Sequence, residues 1–395
     1  MSKKYALVLI LLFSLMLTAC FTHGSDKNVI NAAEHGVSAE NTGEMNSKAL
    51  QAIIDEAAFS GKTVYIPAGE YEFAQNGTQT IGAHCIKMRS GVSIVGDGEK
   101  TVLKPVGHAY YGLDMFYFND YVDEGTPVYL ENCRFESFVI DGARTSCTVY
   151  TSAGKGFMFN LFRNCHFKNV TVKNTDASGF GVDCPIDSSI TGCAAINCGK
   201  ATDTDGSGAS GFGIGFGYSE DESIIISDCQ ATGNKKFGFF FEHQGRFKNT
   251  TNANKYNALP SDNFTVTDCY AEGNLYGFGG INTFNTVYDG CTSKDSLKYG
   301  YYFENSFGSM AKNCRSSGEK DACFSVLLTE AADGMSEEAG KIEFLSCEGK
   351  DSPIGFLSVI DITHNVKPAL TDCRFSGVEC EQKQIFTEEN IKESE

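Results

Sequence analysis

Seven segments of the chain open on a glycine followed by an aromatic residue: 156–159, 179–182, 211–214, 238–241, 277–280, 300–303 and 355–358. Four residues past the glycine of the first six stand Asn160, Asp183, Gly215, Glu242, Ile281 and Glu304. If the segments stack as successive coils, Asp183 and Glu242 lie two coils apart, about 9–10 Å. Gly215 leaves room between them. Two carboxylates across such a gap suit a general acid and a general base around a water, the inverting route of glycoside hydrolysis. Glu304 extends the row by about as much again. The same row also suits carboxylates that merely face solvent. His243 follows Glu242 and points the other way if the strand continues.

Other residue groups bear on binding. The stretch 244–262, where the coil lengthens, carries Arg246, Lys248 and Lys255 and no acid before Asp262, so it offers a basic rim to a carboxylated glycan. Residues 107–131 interrupt the coil pattern and carry Tyr110, Tyr111, Phe116, Tyr117, Phe118 and Tyr121. They are expected to form an excursion whose rings pack on the body or stack on sugars. Asp203 and Asp205 open a sequence like a calcium loop, but the twelfth position is Ile214 rather than the bidentate glutamate such loops use. A polar turn is the default there and calcium the alternative.

These residues need a scaffold that repeats. Nine cysteines recur in similar contexts, at Cys133, Cys165, Cys193, Cys229, Cys269, Cys291, Cys314, Cys347 and Cys373, with spacings of 22 to 40 residues. Small or polar residues such as Asn132, Asn164, Asp228 and Asp268 precede them. Short strands at this period, with variable loops and no helical pattern between them, predict a solenoid. One cysteine per coil at one phase predicts a free thiol ladder inside the tube, in preference to a disulfide framework or a metal cluster. The glycine-aromatic positions predict a second column.

The N-terminus reads as an export signal. Lys3 and Lys4 precede the apolar run 5–17, and Leu17-Thr18-Ala19-Cys20 follows. That ending resembles a bacterial lipobox, which implies cleavage before Cys20 and a lipid on it. The formal net charge is −18. No nucleic-acid footprint is visible. So acidic a surface opposes a polyanionic substrate at long range unless the cleft is locally basic or a cation bridges.

Residues 21–45 read as a polar tether. Leu50, Ile53, Ile54, Ala57 and Ala58 share one helix face, with Asn46 as N-cap and Gly61 as stop. The strand Thr63-Val64-Tyr65-Ile66 and Pro67-Ala68-Gly69-Glu70-Tyr71 follow. This helix-strand sequence resembles the first coil of pectate-lyase-like right-handed β-helix proteins, and 91–98 and 138–142 resemble their next coils. The resemblance implies a helix that plugs the open end of the coil.

A closer resemblance covers 140–300. Ile140-Asp141-Gly142, Ala153-Gly154-Lys155-Gly156, Ser178 to Asp183 and the 259–263 loop are similar, in order and separation, to the catalytic module of secreted mannuronan C-5 epimerases. That family uses a lysine, a tyrosine, an aspartate and a histidine. Lys155 and Asp183 take the lysine and aspartate positions; Phe180 and Pro185 replace the tyrosine and histidine. The resemblance implies a site around Lys155 and Asp183. The candidate substrate contacts are Asp141, Phe180, Tyr218, Arg246, Lys248 and Glu304. Removing a proton beside a carboxylate needs a neutralising cation, a base and an acid. Lys155 can supply the cation. Replacements for the missing proton-transferring groups must come from Tyr150, His166, Tyr218 or His243. Asn174-Thr175-Asp176 matches one polygalacturonase motif, but the companion motifs are absent.

The expectation is an all-β chain: signal peptide 1–19, tether 20–45, a single right-handed parallel β-helix over 46–380 with an N-terminal capping helix, and a polar tail 381–395. The expected protein is a monomer, lipid-anchored at a bacterial surface or periplasmic face, that engages a polysaccharide. The expected chemistry is lyase or C-5 epimerase action on a uronate polymer. A glycoside hydrolase using Asp183 and Glu242 is one alternative, and a non-catalytic glycan-binding solenoid the other.

Overall fold

Along the third-sheet strands, such as Phe157–Arg163, Phe180–Ile186 and Phe212–Phe216, side chains alternate between the tube interior and the outer face. In the computed structural model, which describes residues 28–76, 83–109, 112–119, 128–147, 154–201, 209–243, 264–329, 341–360, 368–376 and 381–386, these strands wind into a parallel β-helix. Three long sheets form its sides, the first holding Thr63–Ile66, the second Val139–Asp141 and the third the strands just named, each carrying one strand from nearly every coil. Every strand pairing among the described residues is parallel, so the coils stack in register. Phe180 lies over Phe157 and under Phe212, and Phe239 lies over Phe212.

That register builds the core. Phe116, Phe157, Phe180, Phe212, Phe239, Phe278, Tyr301 and Phe324 point inward from consecutive rungs of the third sheet. Phe180 and Phe212 stack at 4.7 Å, Phe212 and Phe239 at 4.7 Å, and Phe239 and Phe278 at 4.9 Å between ring centroids. Phe180 is wholly buried in this stack, so it is not the substrate contact expected from sequence.

The nine cysteines are free and unbridged. They sit at the corners between sheets rather than within strands, and they form two columns instead of one. Cys133 and Cys165 lie where the chain enters the first sheet; the backbone of Val170, not of Cys165, contacts the Cys193 sulfur. The seven from Cys193 to Cys373 lie where it leaves that sheet. There the Cys193 and Cys229 N–H groups donate to the sulfur of the next coil, at 3.3 and 3.4 Å. The residue before each of the nine cysteines has a positive φ. That conformation favours Gly, Asn and Asp and explains the small or polar residue found there.

The α-helix runs Gly43–Ser60, one turn earlier than expected. Thr42 caps it, its hydroxyl accepting the Met45 N–H. Asn46 is instead buried in the first turn, donating to the carbonyls of Ser38 and Glu72. Gly61 stops the helix with φ +67°. Leu50, Ile53, Ile54 and Ala57 are buried against the first coils, whereas Ala58 faces solvent. Two expected boundaries shift. Val29–Asn31 already pairs with Thr63–Ile66 as the first rung, inside the segment read as tether. Glu381–Phe386 pairs with Ile354–Ile360, inside the segment read as tail. The aromatic stretch also differs from expectation. Asp114–Phe118 is a rung of the third sheet with Phe116 and Phe118 buried, and Tyr117 stacks on His84 at 4.7 Å. Tyr110, Tyr111 and Tyr121 lie outside the described residues.

Candidate active site

The outer face of the third sheet carries the polar row expected from sequence. Asn160, Asp183, Gly215, Glu242, Ile281 and Glu304 are paired position for position through consecutive rungs. Asp183 and Glu242 therefore stand two rungs, about 9–10 Å, apart. Asp183 Oδ1 accepts the Gly215 N–H at 3.0 Å, and Glu304 accepts the Tyr302 hydroxyl at 2.8 Å.

Lys155 lies over this face. Its side chain crosses Gly181, where a Cβ would stand 2.4 Å from Lys155 Cδ. Any larger residue at 181 would push the lysine away. Gly154 is equally constrained, since its Cβ would meet the Leu113 carbonyl oxygen at 2.3 Å. Gly181 and Asp183 alternate to the same outward side, so the lysine and the carboxylate stand on one outward face of the third sheet.

Asp114 sets the lysine's backbone. Its Oδ1 accepts the Lys155 N–H at 2.7 Å. Burial pushes the Asp114 carboxyl up to about 7, against the charge and N–H of Lys155, which pull it down. Asp176, on the turn before Phe180, is 1% exposed and pairs with Lys200 Nζ at 3.1 Å. Its turn is tied to the lysine's by the Ala177 N–H donating to the Gly154 carbonyl. Asp141 borders this corner. Burial raises its pKa, but hydrogen bonds from Asn174 and Ala143 and the nearby Lys173 outweigh that and hold it below the usual value.

One consequence is testable. The folded chain holds a proton on Asp114 that the unfolded chain releases near pH 4. Stability linked to this group is therefore full at low pH and is lost as pH rises toward about 7. A shift of roughly three units corresponds to at most about 4 kcal/mol. Buried Glu222 and Glu319, also raised by burial, act in the same direction. Thermal melts should show a lower Tm at pH 8 than at pH 5, with a shallower difference in Asp114→Asn. A Tm that rises from pH 5 to pH 8 contradicts the assignment.

This face ends at the corner between the third and first sheets. Buried Glu222 accepts N–H groups from Gly217 at 2.6 Å, Tyr218 at 2.8 Å and Ser219 at 3.1 Å. Tyr218 stands half-buried on this loop, near Cys184, the residue after Asp183. Arg163 sits 4.7 Å over the Tyr129 ring beside the same loop.

The other expected residues fall as follows. Glu242 is half-buried in the row. His243 packs edge-on against Phe216 and Phe284, across Gly217. His166 lies on the first sheet, bonded to Ser189 and Asn164, away from this face. Tyr150, Arg246, Lys248, Lys255, Asp203, Asp205 and Cys20 lie outside the described residues. Asp114, Lys200, Glu222, Tyr129 and Arg163 had drawn no notice in the sequence, because their partners stand 3 to 58 residues away, at separations that follow no repeat. Only Asp176 carried a signal, in Asn174-Thr175-Asp176.

Residues 29–301 match a family model described as rhamnogalacturonase A/epimerase, pectate lyase-like. Over 163 residues, 39% of this chain, the sequence is 29% identical to the mannuronan C5-epimerase AlgE1 of Azotobacter vinelandii. The match spans only 11% of that protein's length. The AlgE4 A-module of the same organism superposes with a TM-score of 0.58 at 17% identity, covering 90% of this chain and 97% of that one. The tailspike of E. coli bacteriophage HK620, solved with a pentasaccharide, superposes with a TM-score of 0.59 at 12% identity, covering 91% of this chain and 65% of that one. Those structures share the right-handed β-helix seen here. Built on that coil and matched over more than half its length, the chain belongs to the rhamnogalacturonase A/epimerase, pectate lyase-like family.

Proposed function

We propose that the chain modifies a uronate-containing polysaccharide by removing the C5 proton, as a lyase or a C-5 epimerase, on the outward face that carries Lys155 and Asp183. The observation that carries this is the lysine lying across Gly181 on the same outward face as Asp183. An ammonium there neutralises the uronate carboxylate, which makes the adjacent C5 proton removable. Lys155 is a cation that the acidic chain holds on this face itself, where the long-range field would repel a polyanion. The relatives named mannuronan C5-epimerases support the same chemistry.

The test is incubation of the purified chain with alginate, pectate and glycosaminoglycans, with and without calcium. A lyase produces an ultraviolet-absorbing unsaturated end, and an epimerase exchanges the C5 proton with solvent. Reducing ends without unsaturation would favour the second reading, hydrolysis by Asp183 and Glu242, which their two-rung separation supports. Retention on a glycan column without chemistry would favour a binding solenoid.

The protein is further proposed to be a monomeric lipoprotein held at a bacterial surface or periplasmic face through Cys20. In cells, Cys20→Ala should shift the chain from the membrane to the soluble fraction. An unchanged distribution would overturn the anchor.

A further inference from the structure

Proton chemistry at a uronate needs two groups besides the cation, and the resemblance to the epimerases implies that the positions supplying them hold Phe180 and Pro185 here. Phe180 is locked in the core stack and Pro185 carries no proton. The structure narrows the replacements. His166 belongs to another sheet, and His243 packs between aromatic rings beyond Gly217. Tyr218 is the remaining described candidate, and its placement is built rather than incidental.

The rung above Asp183 is Gly215, whose N–H donates to Asp183 Oδ1 at 3.0 Å. Three residues later comes Tyr218. Between them Gly217 takes φ +112° and turns the chain outward, with the His243 ring packed where its Cβ would be. The three consecutive N–H groups of Gly217, Tyr218 and Ser219 then converge on the Glu222 carboxylate, which is 2% exposed. A buried carboxylate with three backbone donors is a rigid clamp. It fixes the Tyr218 backbone at the corner where this face ends, on the coil next to that of Asp183. Burial and the neighbouring Cys184 keep the phenol protonated, the state a donor needs.

We infer that Tyr218 is the proton donor of the Lys155–Asp183 site, replacing from the next coil the groups lost at Phe180 and Pro185. The inference rests on the uronate reading above. In the step it implies, the Asp183 carboxylate takes the C5 proton. The C–H electron pair moves into the uronate carboxylate, giving an enediolate paired with the Lys155 ammonium. In elimination, that pair then forms the C4–C5 double bond, the C4–O4 bond breaks, and the Tyr218 O–H proton goes to the departing O4. In epimerisation, the same proton is delivered to the opposite face of C5. Either way, Tyr218 is left as phenolate and Asp183 as the acid, and exchange with solvent restores both.

The experiment uses the full chain on the polymer for which it shows C5 exchange or unsaturated ends. Tyr218→Phe should lower kcat by about 100-fold or more with KM within about threefold, and without a change in Tm. Site-specific 3-fluorotyrosine at 218 should restore turnover and move the alkaline limb of the pH profile to lower pH, which a purely structural role would not do. Glu222→Gln, which loosens the clamp, should lower kcat less. The proposal is overturned if Tyr218→Phe keeps full turnover while Lys155→Ala is inactive, or if fluorination leaves the alkaline limb in place. If Lys155→Ala and Asp183→Asn are also fully active, the uronate reading of this face fails, and this proposal with it.

Discussion

Lys155→Ala should reduce turnover of a uronate polymer by about 10²–10³-fold, the usual cost of removing one charge-stabilising group from a reacting carboxylate. The fold should tolerate the change. The bond that holds this segment runs from the Lys155 N–H to Asp114, and alanine keeps it. The side chain is half-buried over a glycine floor rather than inserted in the core. The variant should therefore melt with the wild type. Asp183→Asn should lose turnover on the same scale while keeping an oxygen for the Gly215 N–H. Parallel kcat and Tm measurements check both. Full activity in Lys155→Ala would remove the lysine from the chemistry.

Phe212→Ala should cost about 3–5 kcal/mol of stability. Phe212 is wholly buried and stacks at 4.7 Å on both Phe180 and Phe239, with interplanar angles of 8° and 0°. Backbone ladders pin the rungs above and below it, so the walls cannot collapse into the space left. The cost should fall toward the upper end of that range for this reason. Chemical denaturation measures it, and a loss below about 1 kcal/mol would show that the stack does not carry the core. Because coils contact mainly their neighbours, the damage should be greatest in the middle of the tube.

The repeating parts of the fold were legible because parallel stacking repeats one residue type at one phase. The glycine-aromatic pairs mark the third sheet, and their registers hold from Phe157 to Phe303. The cysteines mark the sheet corners, but spacing alone could not separate the corner of Cys133 and Cys165 from that of Cys193 onward. Insertions of different length fall between them. Phe116 and Phe118 looked like an excursion because no glycine precedes their rung; the register with Phe157 and Phe159 is visible only in space. The capping helix was read four residues late because Thr42, a weaker signal than Asn46, takes the cap, and Asn46 is spent on the carbonyls of Ser38 and Glu72.

The site divides the same way. Lys155 and Asp183 carry local signals, the glycines on either side of the lysine and the alternation along one strand. Asp114, Asp176 and Glu222 carry chemistry only through contacts between coils or across a turn, and no spacing in the sequence encodes these. Their common feature is burial of a carboxylate beside backbone N–H groups or a lysine, created by the stacked coils at Asp114 and Asp176 and by its own turn at Glu222.

The most direct test of the account is proton NMR of alginate and pectate incubated with the chain in deuterium oxide. The account predicts loss of the uronate H5 signal, through exchange or through a new C4–C5 double bond, and no such loss with Lys155→Ala. Chain scission with every H5 retained, or an H5 signal lost equally with and without Lys155, would contradict it.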